Sequence, residues 1–91
     1  MTNSSEIILH DIELSIFVVT HDGQQSYLRY VETKNTFDIL STQVASAHRG
    51  RGVAAELNES AIKYAESKNL QVIATCSYTA TYVQRRKNSK S

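Results

Sequence analysis

A short segment of alternating arginine and glycine has the residue types that bind an anion. Its sequence is Arg49-Gly50-Arg51-Gly52-Val53-Ala54, and an amphipathic stretch follows it. Glycines let a backbone approach a pyrophosphate closely, while arginines and the N–H groups of a helix N-terminus supply positive charge. No Gly-Lys-Ser/Thr follows and the spacing is not Gly-x-Gly-x-x-Gly, which argues against nucleotide hydrolysis and dinucleotide redox chemistry. The alternative is that the two glycines only form a turn.

The second candidate is Cys76, the one cysteine of the chain. It is predicted to lie between a strand end and a helix N-terminus, where the helix dipole and nearby arginines lower the pKa of a thiol. Cysteine is also among the most buried residue types, so an inert thiol is the competing interpretation. Tyr78 and Tyr82 follow Cys76. Either could be the acid that protonates a leaving thiolate, or both could pack the last helix onto the sheet.

The histidines indicate neither a general base nor a metal site. His48, beside the glycine segment, is expected to be a solvated loop residue, and His10 and His21 are expected near turns. One cysteine and three dispersed histidines lack the spacing of a metal-ligand cluster.

Hydrophobic patterning predicts the elements that must position these residues. β-branched and aromatic residues predict a strand over 13–20 that is buried on both faces. Asp22-Gly23 then predicts a tight hairpin turn in which both residues have positive φ. Ser77 is predicted to cap the last helix, and Asn69 to stop the preceding one. The remaining predicted elements are strands over 26–32, 37–43 and 70–75, a helix that begins at residue 53, and a helix over 78–86.

The order β-β-β-α-β-α predicts an α+β fold. Helices should pack on a mixed, mainly antiparallel sheet, in which the third and fourth predicted strands are parallel and joined by a crossover helix. The length of 91 residues, with 41% hydrophobic and 21% charged residues, predicts a single domain over 1–91 with an open ligand groove. Residues 1–11 and 87–91 are predicted to be peripheral or frayed. No apolar run is long enough to span a membrane.

Charge and cysteine content indicate where a ligand binds and where the protein acts. Residues 1–43 carry six acidic and two basic side chains, whereas 44–91 carry eight basic and three acidic ones, so an anion should bind the second half. Residues 1–6 lack Lys and Arg and precede only three apolar residues, which is not typical of a secretory signal. A lone thiol is typical of a reducing compartment, so the cytoplasm is predicted.

The glycine segment also fits the pattern Arg/Gln-x-x-Gly-x-Gly/Ala, with Arg49, Gly52 and Ala54 at the defining positions. This pattern resembles the acyl-CoA loop of the GNAT superfamily of N-acetyltransferases. Two further motifs, Thr42-Gln43-Val44 and Cys76-Ser77-Tyr78, are similar in order and spacing to a branch of very short N-acetyltransferase-like proteins.

The resemblance implies that acetyl-CoA lies in a cleft where two parallel strands splay apart, near Val44 and Cys76. The backbone of Gln43 and Val44 would bind the pantetheine arm, and Cys76 would face the thioester and could carry the acetyl group. Relatives often have a histidine where this chain has Ser41, and the acceptor side would be open. The N–H groups that would hold the pyrophosphate are those of Arg49, Gly50, Arg51, Gly52, Val53 and Ala54.

Three functions remain open. The first is a minimal N-acetyltransferase, monomeric or weakly dimeric, that passes an acetyl group to an unidentified amine, directly or through Cys76. The second is a non-catalytic module that binds or senses acyl-CoA, which Ser41 and the open acceptor side favour. The third is an interaction module with a basic surface formed by Arg49, Arg51 and residues 85–90. The pI of about 7.9 argues against nucleic-acid binding by that surface.

Overall fold

The computed structural model of the protein describes residues 7–89, which form a five-stranded sheet and two α-helices. A single 3₁₀ turn over Ser46–His48 precedes the first helix. In chain order, the elements are β1 Leu9–Asp11, β2 Ile16–His21, β3 Gln24–Glu32, β4 Thr36–Gln43, α1 Val53–Ser67, β5 Gln71–Ala74 and α2 Ser77–Ser89.

The strands lie side by side in chain order, from β1 to β5. The first three pairings are antiparallel, and β4 pairs with β5 in parallel because α1 carries the chain back across the sheet. This confirms the predicted α+β class and the mixed, mainly antiparallel sheet. The predicted hairpin turn is also present, with φ of 52° at Asp22 and 72° at Gly23.

Part of the segment predicted to be peripheral or frayed forms β1, which pairs with β2 at the edge of the sheet. Three residues are too few to show an alternating pattern, and β1 is fixed by a tertiary contact. The ring of His10 stacks on the ring of Phe17, with 4.0 Å between their centroids. Residues 1–6 lie outside the described part of the chain.

The core lies between one face of the sheet and the helices. Residues of β2 that face α1, Phe17 and Val19, are buried, whereas Ile16 and Val18 on the opposite face of β2 are partly buried and Thr20 is exposed. The predicted burial of β2 on both faces is therefore wrong, since both helices lie on the same side and contact each other. The buried apolar residues of this core are Phe17, Val19, Leu28, Tyr30, Phe37, Ile39, Val53, Leu57, Ala61, Ile62 and Ala65.

Helix α1 begins and stops as predicted, whereas α2 differs from prediction at both ends. Helix α1 ends at Ser67, and Asn69, with φ of 58°, turns the chain toward β5 as a helix stop should. Helix α2 begins at Ser77, and the carbonyl of Cys76 accepts from the N–H of Ala80 at 3.0 Å, so the cap is Cys76 rather than Ser77. Helix α2 also extends to Ser89 instead of fraying from 87. Residues 90 and 91 are outside the described range.

Candidate functional site

The parallel strands β4 and β5 separate partway along the sheet. Their pairing ends at Ile39 and Ala74, and β4 then continues to Gln43 beside β3 alone. The register against β3 also shifts at this point, because Arg29 lies opposite Ser41 whereas Tyr30 lies opposite Ile39, so one residue of β4 is bulged. A bulge bends its strand and increases the local twist. The ladder between the two strands therefore stops at the bulge, where the N–H of Cys76 makes a last hydrogen bond to the carbonyl of Ile39 at 2.9 Å.

The glycine segment lies at the end of β4 and leads directly into α1. Gly50 and Gly52 have φ of 76° and 74°, a left-handed conformation that strains other residues. A Cβ atom at either glycine would have no described atom within 4 Å, so the backbone conformation, and not lack of space, requires glycine here. This confirms that the glycines form a turn, and it also leaves the backbone open to a ligand.

Gly52 is the N-cap of α1, and among residues 7–89 no side chain caps this helix. The N–H groups of its first turn, including those of Val53 and Ala54, therefore point out of the helix without an intrahelical acceptor. Arg49 and Arg51 are both exposed on this loop. Successive N–H groups around left-handed residues, next to a helix N-terminus, form a concave surface that attracts anions.

His48 attaches the glycine segment to the sheet. The expectation that it is a solvated loop residue is wrong. It is fully buried, and its Nδ1 makes a hydrogen bond with Oγ of Ser26, on β3. The same Ser26 oxygen accepts from the N–H of Ala45 at 2.8 Å. A histidine in a polar segment gives no sequence signal of burial, because the burial arises from the contact with a distant strand.

The groups at this anchor also include a second histidine. The rings of His21 and His48 are 5.6 Å apart, and Nη1 of Arg51 lies 3.2 Å from Nε2 of His21. Nε2 of His48 is buried and has no hydrogen-bond partner among the described residues. The loop is thus tied to β2 and β3 at its base while its glycine backbone stays open.

Cys76 lies beside β4, half-buried at the N-terminus of α2. Its Sγ is 3.7 Å from Oγ1 of Thr42, which lies on the diverging part of β4. Burial alone would raise the pKa of the thiol. Hydrogen bonds from the N–H of Thr79, then from Thr42 and the N–H of Tyr78, outweigh burial and hold that pKa below its usual value. The pKa of Cys76 is lowered as predicted, but by these hydrogen bonds at the start of α2 and from β4. The arginines, which were expected to contribute, are not among the causes.

The two tyrosines of α2 differ in their surroundings. Tyr82 packs against the core and its hydroxyl donates to Oε1 of Glu59 at 2.5 Å. Burial and the Glu59 carboxylate raise its pKa to about 12, so this hydroxyl is engaged in structure. Tyr78 is 38% exposed, and its ring stacks beside Tyr82 with 6.3 Å between centroids. Of the two, Tyr78 alone is open to a ligand.

Sequence analysis did not identify Asn58 as part of the site. It is fully buried in α1, where its Nδ2 donates to the carbonyl of Ala54 at 2.9 Å and to Oγ1 of Thr42 at 3.2 Å. Its Oδ1 accepts from the hydroxyl of Thr79 at 2.5 Å. An amide within the apolar arc of α1 was the available signal, because a buried amide must find hydrogen-bond partners.

The described residues contain no group of three or more His, Cys, Asp or Glu side chains arranged to hold a metal ion. Neither of the helices in residues 7–89 is long and apolar enough to cross a membrane.

Comparison with known proteins identifies the class. Residues 16–91 match the family described as GCN5-related N-acetyl-transferase. The chain therefore belongs to this family, which confirms the resemblance inferred from the sequence. It is 34% identical over 86 residues to Protein NATD1 of Xenopus tropicalis, a match that covers 90% of this chain and 78% of that protein. Matches to Protein NATD1 of Gallus gallus and of Mus musculus are 34% identical over 64 residues and cover 70% of this chain and 57% of each relative.

Proposed function

We propose that the protein is a minimal N-acetyltransferase that binds acetyl-CoA between β4 and β5 and transfers its acetyl group to an amine. The observation that carries this proposal is the uncapped N-terminus of α1, entered through two left-handed glycines with open space above them. The loop follows β4, and Thr42 near the end of that strand lies beside Cys76, with 3.7 Å between Oγ1 and Sγ. Membership of an acetyltransferase family supports an acyl-CoA ligand.

In this proposal, the N–H groups of Gly50, Gly52, Val53 and Ala54 hold the pyrophosphate. The N–H groups of Arg49 and Arg51 donate to carbonyls within the loop, each at 3.2 Å, so these two residues contribute the charge attraction of their side chains. The pantetheine arm extends along β4, where Gln43 and Val44 lie beyond the last pair with β5. Their backbone has no β5 partner to bond with, and it pairs with the amide groups of the pantetheine arm instead. The acetyl thioester then lies toward Cys76.

Cys76 acts as the nucleophile in the covalent route. Its thiolate attacks the thioester carbonyl, an Sγ–acyl bond forms, and the bond from the acyl carbon to the CoA sulfur breaks. Tyr78 is the exposed acid that can protonate the departing CoA thiolate. A neutral amine then attacks the acyl carbon, the C–N bond forms, the thiolate of Cys76 leaves, and the amine proton passes to solvent or to the tyrosinate. The hydrogen bonds that lower the pKa of Cys76 favour the thiolate that this route needs.

The direct test is a calorimetric titration with acetyl-CoA. The Arg49→Ala, Arg51→Ala double variant is expected to weaken binding, since two charges that face the pyrophosphate are removed. Lys34→Ala, Lys87→Ala is the matched control, because it changes the net charge equally at exposed positions outside the loop. No binding by the wild-type protein, or equal weakening in both double variants, would contradict the proposed site.

A second candidate function is a non-catalytic module that binds acyl-CoA. It is favoured because each histidine makes its contacts away from Cys76: His10 with Tyr30, His21 with Arg51 and His48 with Ser26. Such a module would bind acetyl-CoA without turnover. Intact-mass measurement after incubation with acetyl-CoA separates the two, since only the enzyme with a covalent step gains an acetyl group that Cys76→Ala abolishes.

We also propose that the protein acts in the cytoplasm, because a lone free thiol is typical of a reducing compartment.

A further inference from the structure

We propose that Asn58 is a positioning residue for Cys76, because it fixes the hydroxyl of Thr42 as a hydrogen-bond donor to the sulfur. The inference rests on the proposed function of Cys76, but it concerns the state of the thiol in the free protein. The amide does not touch the sulfur. It acts through Thr42 and Thr79, which approach Sγ from β4 and from α2.

The hydrogen bonds of Asn58 leave it one orientation. An amide nitrogen carries two protons, and these go to the carbonyl of Ala54 and to Oγ1 of Thr42. The amide oxygen accepts the proton of Thr79. If the amide were flipped, its oxygen would face the carbonyl oxygen of Ala54. Its nitrogen would then face the hydroxyl of Thr79 and could not accept the proton of that hydroxyl. Complete burial of Asn58 makes such unmatched groups costly.

This orientation decides which hydroxyl donates to the sulfur. Thr42 can only accept from Asn58, because the amide nitrogen has no free lone pair, and its own proton remains available for Sγ at 3.7 Å. The proton of Thr79 is held by Asn58 at 2.5 Å, so Thr79 contributes to the sulfur mainly through its backbone N–H. The thiolate is therefore stabilised by one hydroxyl, from Thr42, and by N–H groups of the first turn of α2.

The same amide connects the parts of the candidate site. Ala54 lies in the first turn of α1, which follows the glycine loop, Thr42 lies on the diverging part of β4, and Thr79 belongs to the first turn of α2. Because one buried side chain bonds to all three elements, a change at Asn58 alters the environment of Cys76 without touching any exposed residue.

The test is the pH dependence of alkylation of the free protein by iodoacetamide. The chain has one cysteine, so the reaction reports Cys76 alone. Thr42→Val removes the donor at nearly constant volume and is expected to raise the midpoint of the profile by about half to one pH unit, a several-fold loss of thiolate below the midpoint. Midpoints are compared because a more basic thiolate is intrinsically more nucleophilic, which partly hides the change in rate. Thr20→Val, on the exposed face of β2, is the matched control and should leave the midpoint unchanged.

Asn58→Asp replaces the amide nitrogen by an oxygen, so the proton of Thr42 turns toward the new carboxyl group and away from the sulfur. The midpoint is expected to rise, and the rise should be smaller in a protein that already carries Thr42→Val. A change of the same size in both backgrounds would mean that Asn58 acts independently of Thr42, which overturns the proposal.

A midpoint in Thr42→Val that equals the wild-type midpoint also overturns the proposal, whether or not Asn58→Asp folds. Acetyl-CoA is absent from this experiment. Failure of the acyl-CoA proposal would appear as absent binding in the wild-type titration, and failure of the positioning proposal as an unmoved midpoint.

Discussion

Gly52→Ala tests the glycine loop most sharply, because the structure separates its effect on folding from its effect on binding. Gly52 has φ of 74° and a new Cβ would contact no described atom within 4 Å. The loss of stability should therefore be the cost of a left-handed alanine, about 1–2 kcal/mol, without a term for steric clash. For a domain of this size, each 1 kcal/mol lowers the melting temperature by about 4–8 °C.

Gly23→Ala is the matched control. Gly23 has φ of 72°, also with open space around its Cβ position, but it lies in the turn between β2 and β3. The two variants should lose similar amounts of stability in thermal melts. Only Gly52→Ala places a methyl group in the open space over the N–H groups of the loop. Loss of one hydrogen bond to a charged phosphate, about 1.5–3 kcal/mol, corresponds to an affinity lower by about 10- to 100-fold.

The assay is calorimetric titration of both variants with acetyl-CoA at a temperature where each is folded. If Gly52→Ala bound as tightly as Gly23→Ala, the backbone of this loop would not contact the ligand. A much larger stability loss in Gly52→Ala than in Gly23→Ala would show that the space above the loop is not open.

The remaining predictions concern the supports of the site. Ser26→Ala removes the hydrogen-bond partner of both His48 and the N–H of Ala45. The free energy of unfolding, measured by urea denaturation, should fall by about 1–3 kcal/mol. An unchanged urea midpoint would show that Ser26 does not hold the loop in place. Hydrogen bonds from Arg86 and Tyr82 lower the pKa of Glu59 to about 2, so its stabilising effect is fully present above its usual pKa and is lost as the pH falls through the folded value. Glu59→Gln should therefore destabilise the protein at about pH 7 and do so much less near pH 2, and a difference independent of pH would contradict this.

Local sequence patterns predicted the features whose cause is local. Asp22-Gly23 predicted its turn because few residues tolerate positive φ, and the glycine segment predicted a loop before α1 for the same reason. The position of Cys76 at a helix N-terminus followed from the change of pattern after β5.

Features that depend on distant contacts could not be predicted in this way. Strand β1 exists because His10 packs on Phe17, and His48 is buried because it meets Ser26 of β3. The role of Asn58 depends on hydrogen bonds to residues 16 and 21 positions away. No local pattern encodes these contacts, because they form only when the strands pair and the helices pack on one face of the sheet.

The central claim is that the glycine loop and Cys76 belong to one acyl-CoA site, and alkylation of Cys76 in the presence of ligand tests it directly. A thioether analogue of acetyl-CoA, which cannot acylate the protein, should slow the reaction in a saturable way. Half-protection should occur at the dissociation constant from calorimetry, and the Arg49→Ala, Arg51→Ala variant should need more ligand. An alkylation rate unchanged at saturating analogue would place the ligand away from Cys76 and contradict the account.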